Sequence, residues 1–215
     1  AAVVVTDVHV ENGHGTVHEI TAGGGQAFFY EMNVADRHQV EALAARITEE
    51  IGPVDILVNN AGLNVGAEGR KPVHLFAYED WQRIIDVDLN GPFYCTKSFG
   101  GRMVERGQGG RIINVVSVVG IVPLRMQCAF AAAKAGLINF TKAAALELAP
   151  YKITVNAIAP GSTPTPGTEQ LFYSNRERAE SLLSHVPLGR PGTTDDMAQA
   201  TLYLASAAAD YVTGT

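Results

Sequence analysis

Residues 53–62 read PVDILVNNAG, and this stretch decides the fold. Ile56–Asn59 is a short apolar run of strand length. Asn60, Ala61 and Gly62 follow it with small side chains, which let the backbone approach a ligand closely. Alone, the same residues are equally a plain tight turn. Upstream, Asp36 to Ile51 reads as a helix with Val40, Leu43, Ala44, Ile47 and Ile51 on one face. Asp36 is its N-cap, and Gly52-Pro53 ends it. Strands at Val3–Val5, ending at Asp7, and at Ala27–Met32 come before that helix. Downstream come a long helix from about Glu79 to Met103 and a strand at Ile112–Val116. The latter lacks polar alternation apart from Asn114, as in a strand buried on both faces. A helix from Ala129 to Ala149 stops at Pro150. A strand at Thr154–Ile158 and a last helix at Thr194–Ala207 complete the pattern.

Strands alternating with helices imply a parallel sheet covered on both faces. Ligands of such sheets bind beyond the carboxyl ends of the strands. The residues there are Asp7, Asn33 with Val34, Asn60 to Gly62, Ser117, and Pro160-Gly161 followed by Thr163, Thr165 and Pro166. Each taken singly has a bland reading as a cap, a polar turn or a solvated charge.

Composition narrows the function. Hydrophobic residues make up 47% and charged residues 18%, enough for a large core. The net charge is −6 and no Lys/Arg run occurs, which speaks against a nucleic-acid or anionic-membrane partner. The longest apolar stretch, Ile112 to Leu124, is interrupted by Asn114, Ser117, Gly120 and Pro123, and is too short to span a bilayer. The start AAVVVTD has no basic leader region. Cys95 and Cys128 are the only cysteines and lack metal-ligand spacing, so they read as buried free thiols in a reducing cytoplasm, and no metal is expected.

The order NNAG, a strand ending in Ser117, a lysine at Lys134 and PG-x-x-x-TP resembles the short-chain dehydrogenase/reductase family. The resemblance runs from Val3 to Gly214, including the closing segment from His185. It implies a Rossmann-like, doubly wound α/β domain, here one domain over residues 1–215. Against that pattern, the first strand–helix unit with its glycine-rich phosphate turn, roughly 30 residues in a βαβ unit, and the last strand are absent, so the domain reads as truncated at both ends. A flavodoxin-like or response-regulator module fits the sheet but not these motifs.

The resemblance also implies roles. Members transfer a hydride between a nicotinamide and a carbonyl or alcohol carbon, with the proton moving through a tyrosine phenol. A lysine lowers that phenol's pKa from about 10 and holds the nicotinamide ribose. A serine polarises the substrate oxygen, and an asparagine in the long helix anchors a relay water. Ser117 and Lys134 fit the serine and lysine positions. Phe130, four residues before Lys134 and thirteen after Ser117, fits the tyrosine position and has no hydroxyl. Asp88 stands where the asparagine belongs, and Asn90 would point elsewhere on the helix. Losing the phenol is expected to leave activity near background, since such acid–base work contributes roughly 10²–10⁴-fold.

By the same resemblance Asp7 favours NAD over NADP, because a carboxylate accepts from a ribose hydroxyl and repels a 2′-phosphate. Asn33 and Val34 match the adenine pocket, the asparagine bonding through its carbonyl. Asn60, Ala61 and Gly62 match the adenosine ribose. Pro160, Gly161, Thr163 and Thr165 match the nicotinamide surroundings. Residues 168–187, with Phe172, Tyr173, Arg176 and His185, match a lid over the substrate. The expected substrate is a secondary alcohol or ketone, with GRKPVHLFAYEDW pointing first to a polyol, sugar or sugar acid, and a β-ketoacyl thioester or steroid as alternatives. A homo-oligomer, tetramer or dimer, is expected through the Glu79–Met103 and Ala129–Ala149 helices, with Ala131, Ala132, Ala133, Ala135 and Gly136 allowing close approach. The competing reading is a non-catalytic dinucleotide-binding member acting as a sensor or assembly subunit.

Overall fold

The computed structural model describes residues 1–165 and 176–215. Among the described residues five strands are all paired in parallel: β1 (Ala2–Asp7), β2 (Gln26–Glu31), β3 (Ile56–Asn59), β4 (Gly110–Val115) and β5 (Ile153–Ile158). They form two sheets, β1-β2 and β3-β4-β5. The helices are α1 (Val10–Ala22), α2 (Arg37–Glu50), α3 (Tyr78–Ile85), α4 (Gly91–Arg106), α5 (Cys128–Leu148), α6 (Arg176–Leu183) and α7 (Thr194–Ala205).

Alternation along the strands assigns the faces. Ile112 packs with Met103, Ala144, Ala145, Ile153 and Val155 under α4 and α5. Its neighbour Ile113 packs on the opposite face with Leu204 and Ala209, as a two-residue side-chain period requires. Both are buried, as expected of this strand. One cluster bridges the two sheets: Val40, Leu43, Ala44 and Ile47 of α2 and Cys95 and Phe99 of α4 meet Met32, with Val4, Tyr30 and Leu57 packed against them. On the other face of β1-β2, α1 presses so closely that a Cβ at Gly13 would lie 2.0 Å from the Phe29 ring.

A buried polar chain ties the larger sheet to its helices. The Asn59 amide donates to Asn114 Oδ1 at 2.8 Å and to Thr96 Oγ1 at 3.3 Å. Asn114 Nδ2 donates to Thr141 Oγ1 at 2.9 Å, and Thr141 donates on to the Leu137 carbonyl at 2.8 Å. All these groups are satisfied, the condition under which a polar core is stabilising.

The structure departs from the sequence pattern in four places. α1 carries no clear apolar stripe, and only Gly13 in it is buried. The long helix is interrupted at Asp86–Asn90 by a π turn, beside Pro92, which has no N–H to give the ladder. Cys128 is only half-buried, whereas Cys95 is buried and its thiol is pushed up to about 12 by desolvation. Gly136 faces inward, its Cα standing against Leu89, so this part of the small-residue stripe packs within the chain. The tail runs beside β5, with Gly214 N donating to the Val155 carbonyl and Ala157 N to that of Thr215. No helix among the described residues is long and apolar enough to cross a membrane.

Candidate active site

α5 begins at the carboxyl ends of β4 and β5 and carries two of the expected residues one turn apart. Lys134 is 4% exposed. Its Nζ donates to the Val115 carbonyl at 3.0 Å and lies 3.4 Å from Asp88 Oδ2. Asp88 is fully buried in the π turn, and its Oδ1 accepts from Leu63 N at 2.6 Å. Oδ2 has no hydrogen bond despite the ion pair, so it faces Lys134 electrostatically without good alignment. Burial pushes the Asp88 carboxyl above its ordinary range, outweighing the Lys134 charge and the Leu63 N–H, which pull it down.

The Phe130 ring centroid lies 5.5 Å from Lys134 Nζ. The ring also packs against Val65, Ile84, Ala129 and Ala133. Ser117 leads the turn Val118–Gly120, its Oγ accepting from Val119 N at 3.2 Å. A Cβ on Gly120 would fall 2.7 Å from the Lys134 backbone, so this turn sits on α5 at Lys134. Val118 N donates to the Pro160 carbonyl at 3.1 Å, joining the Ser117 turn to Pro160-Gly161. A Cβ on Gly62 would lie 3.6 Å from Lys134 Nζ and 3.8 Å from Asp88 Oδ1. Ser117, Phe130, Lys134, Asp88, Gly62 and Pro160 thus gather at one edge of the β3-β4-β5 sheet. Asn90 does not join them: its amide donates to Asp86 Oδ1 along the helix.

The other expected residues also lie at strand ends. Asp7 closes β1, its Oδ1 accepting from His9 N at 2.7 Å. Asn60 and Ala61 are exposed beyond β3. Asn33 Oδ1 already accepts from Ala35 N at 3.0 Å, so one lone pair of the carbonyl expected at adenine is committed to a local turn. Val34 lies under α4, where a Cβ on Gly91 would meet it at 2.9 Å. Thr163 stands close to Gly192, and Ser162 accepts from Gly192 N at 2.8 Å. Thr165 is half-buried. Pro166, Phe172 and Tyr173 lie outside the described residues, and His185 Nδ1 is 2.8 Å from the Ser181 carbonyl.

Sequence reading missed Asn64 and Gln127. Asn64 Nδ2 donates to Gln127 Oε1 at 2.8 Å, joining the loop after β3 to the residue that opens α5. Gln127 precedes Phe130 by one turn, and that spacing was the available signal. A cavity of about 800 Å³ lies at the opposite edge, lined by Asp55, Arg106, Gly110, Lys152 and Asp210 near the starts of β3, β4 and β5. It takes no part in this chemistry, because ligands of such sheets lie beyond the carboxyl ends.

The profile of the family described as enoyl-(acyl carrier protein) reductase matches residues 1–215. The 3-oxoacyl-(acyl-carrier-protein) reductase FabG of Thermotoga maritima is 41% identical over 214 residues, 100% of this chain and 84% of that protein. The uncharacterized oxidoreductase YohF of Escherichia coli is 36% identical, over 95% of this chain and 78% of that one. Among solved structures, a gluconate 5-dehydrogenase from Burkholderia cenocepacia in complex with NADP and tartrate superposes with a TM-score of 0.92 at 31% identity, covering 100% of this chain and 82% of that chain. An NAD⁺-bound xylitol dehydrogenase superposes with a TM-score of 0.90 at 25% identity, covering 99% and 85%.

Proposed function

Because the chain belongs to the short-chain dehydrogenase/reductase family, we propose that it is an oxidoreductase of secondary alcohols and ketones, with a polyol, sugar or sugar acid as substrate and NAD(H) as coenzyme. The reading rests on one observation: a buried Lys134 held between the Val115 carbonyl and Asp88, beside the Ser117 turn. The residues fit a dinucleotide. Gly62 leaves the approach to Lys134 Nζ clear of a side chain, and Asp7 Oδ2 accepts no bond among the described residues. When bound, the nicotinamide supplies or accepts the hydride.

The work of this chain's own groups follows. Ser117 Oγ polarises the substrate oxygen. Lys134 holds ribose hydroxyls with its two remaining N–H donors. Asp88 faces that ammonium, its Oδ2 3.4 Å from Nζ, and so fixes its position. Asp7 accepts from an adenosine ribose hydroxyl and repels a 2′-phosphate, while Asn33 and Val34 border the adenine, Asn60, Ala61 and Gly62 the ribose, and Pro160, Gly161, Thr163 and Thr165 the nicotinamide. Phe130 gives no proton, so turnover as written stays low. Gluconate- and xylitol-oxidising neighbours support the polyol class. The reading is completed by action in the cytoplasm as a homo-oligomer, dimer or tetramer, joined through α4 and α5.

The second reading, a non-catalytic dinucleotide-binding subunit, draws on Phe130 itself. The test is Phe130→Tyr, assayed with NADH and NADPH titrated in parallel by fluorescence. We expect NADH to bind more tightly than NADPH, and the tyrosine to raise turnover roughly 100-fold to 10,000-fold. Coenzyme binding with no turnover across polyols, sugars and ketones would sink the enzymatic reading in favour of the second.

A further inference from the structure

The cavity at the amino ends of β3, β4 and β5 is cationic within. Its volume, about 800 Å³, suits a small ligand. β4 separates it from the reacting edge: Gly110 to Val115 spans roughly 17 Å at about 3.3 Å per residue. Three cations line it from separate stretches of the chain: Arg106 at the end of α4, Arg111 at the start of β4 and Lys152 just before β5. The carboxylates that face them stand on the rim. Asp55 and Asp210 are 76% and 66% exposed, whereas their partners Arg106 and Arg111 are 14% and 22% exposed. Carboxylates so well solvated are weak competitors for the arginines. Arg111 bonds Asp210 through Nη2 alone, and its other donors remain. Lys152 makes no ion pair among the described residues.

The turn between α4 and β4 adds backbone donors to the same wall. Gly107 and Gly109 have φ of 68° and 77°, with Gln108 between them at negative φ. Such alternation turns successive N–H groups to one side and makes an anion-binding concavity. Gln108 N and Gly109 N make no hydrogen bond among the described residues, and both residues line the cavity. The exposed Tyr211 ring stands on its rim.

We propose that this cavity binds a phosphate monoester. The phosphate sits between Arg111, Lys152 and the Gln108–Gly109 N–H groups, and the organic part lies against Tyr211. Three terminal oxygens match this donor set, where a carboxylate offers only two. No residue of the site at the carboxyl ends is involved, so the proposal stands apart from the oxidoreductase reading.

The test uses phenyl phosphate, with benzoate and benzyl alcohol as controls. Each is titrated calorimetrically against the unsubstituted chain, Lys152→Gly and Arg111→Gln, with and without saturating NADH, and thermal melts check folding. Lys152 has a φ of 60°, which glycine adopts without strain, so Lys152→Gly removes the charge and keeps the turn. Phenyl phosphate is expected to bind more tightly than benzoate, and benzyl alcohol not measurably. Each variant weakens phenyl phosphate about tenfold, and saturating NADH leaves its affinity unchanged. No binding of phenyl phosphate, benzoate binding as tightly, or unchanged affinity in both variants overturns the proposal. So does displacement by NADH, which would put the probe at the carboxyl ends of the strands.

Discussion

Replacing Lys134 with methionine isolates the energetics of the buried pair. The methionine fills most of the lysine stem but removes the charge 3.4 Å from Asp88 Oδ2. Asp88, fully buried, then keeps one partner, the Leu63 N–H at 2.6 Å. Removing one member of a buried ion pair costs about 3–5 kcal/mol, most of it from stranding the other charge. The sign with pH follows from the direction of the shift. Burial already raises the Asp88 carboxyl in the folded chain, and loss of Lys134 removes the largest influence lowering it. A carboxyl with a raised folded pKa disfavours the folded state above that pKa, and the cost fades as pH falls toward the unfolded value of about 4. Urea unfolding of Lys134→Met is therefore expected to show the full loss at about pH 8 and a smaller one at about pH 5. Adding Asp88→Asn, which retains an acceptor for Leu63 N, brings stability back to within about 1 kcal/mol of the unsubstituted chain. A loss that is equal at both pH values, or a double variant no more stable than the single one, would refute this account.

Three further outcomes are expected. Asn114→Leu removes the donor to Thr141 Oγ1, which keeps its bond to the Leu137 carbonyl, and leaves the Asn59 amide only the longer Thr96 contact, costing about 1–3 kcal/mol as a lower urea midpoint with unchanged slope. Thr193→Ala removes one half of the capping box that opens α7, where Thr193 Oγ1 accepts from Asp196 N and Asp196 from Thr193 N, and lowers stability by about 1 kcal/mol. Asp7→Ala removes the charge that repels a 2′-phosphate, so the ratio of NADPH to NADH affinity, read by fluorescence titration, rises at least about tenfold; an unchanged ratio would show that Asp7 does not set the preference.

The strands and most helices were legible because their signals are local. Asp36 caps α2 as its position implied, accepting from His38 N and Gln39 N. The lone asparagine in an apolar β4 marked a strand buried on both faces. Ser117, Phe130 and Lys134 were found by spacing, since one turn of helix fixes which side chains stand together. α1 was illegible because Gly13, Gly15, His14 and His18 occupy the positions where an apolar stripe would declare itself. The Asn64–Gln127 bond joins residues 63 apart in sequence, and no local pattern encodes such a pairing. The Asp88–Lys134 contact was inferable in kind, but its cost depends on burial that only packing reveals.

The π turn at Asp86–Asn90 works as a phase adjuster. Each residue of an α-helix advances the azimuth by about 100°, and a π turn slips that count by inserting one residue. Upstream of it, Ile84 points to the Phe130 cluster; downstream, Cys95 and Phe99 point to α2. The two halves of the helix thus serve different cores on independent angular settings. Deleting one residue within the turn would let the stretch close as ordinary α-helix, so that the widened turn presenting Asp88 to Lys134 and Leu63 is lost. Length and composition are therefore both constrained in this short stretch: Asp88 cannot be exchanged freely while Lys134 faces it, and a residue cannot be removed without undoing the turn that presents Asp88.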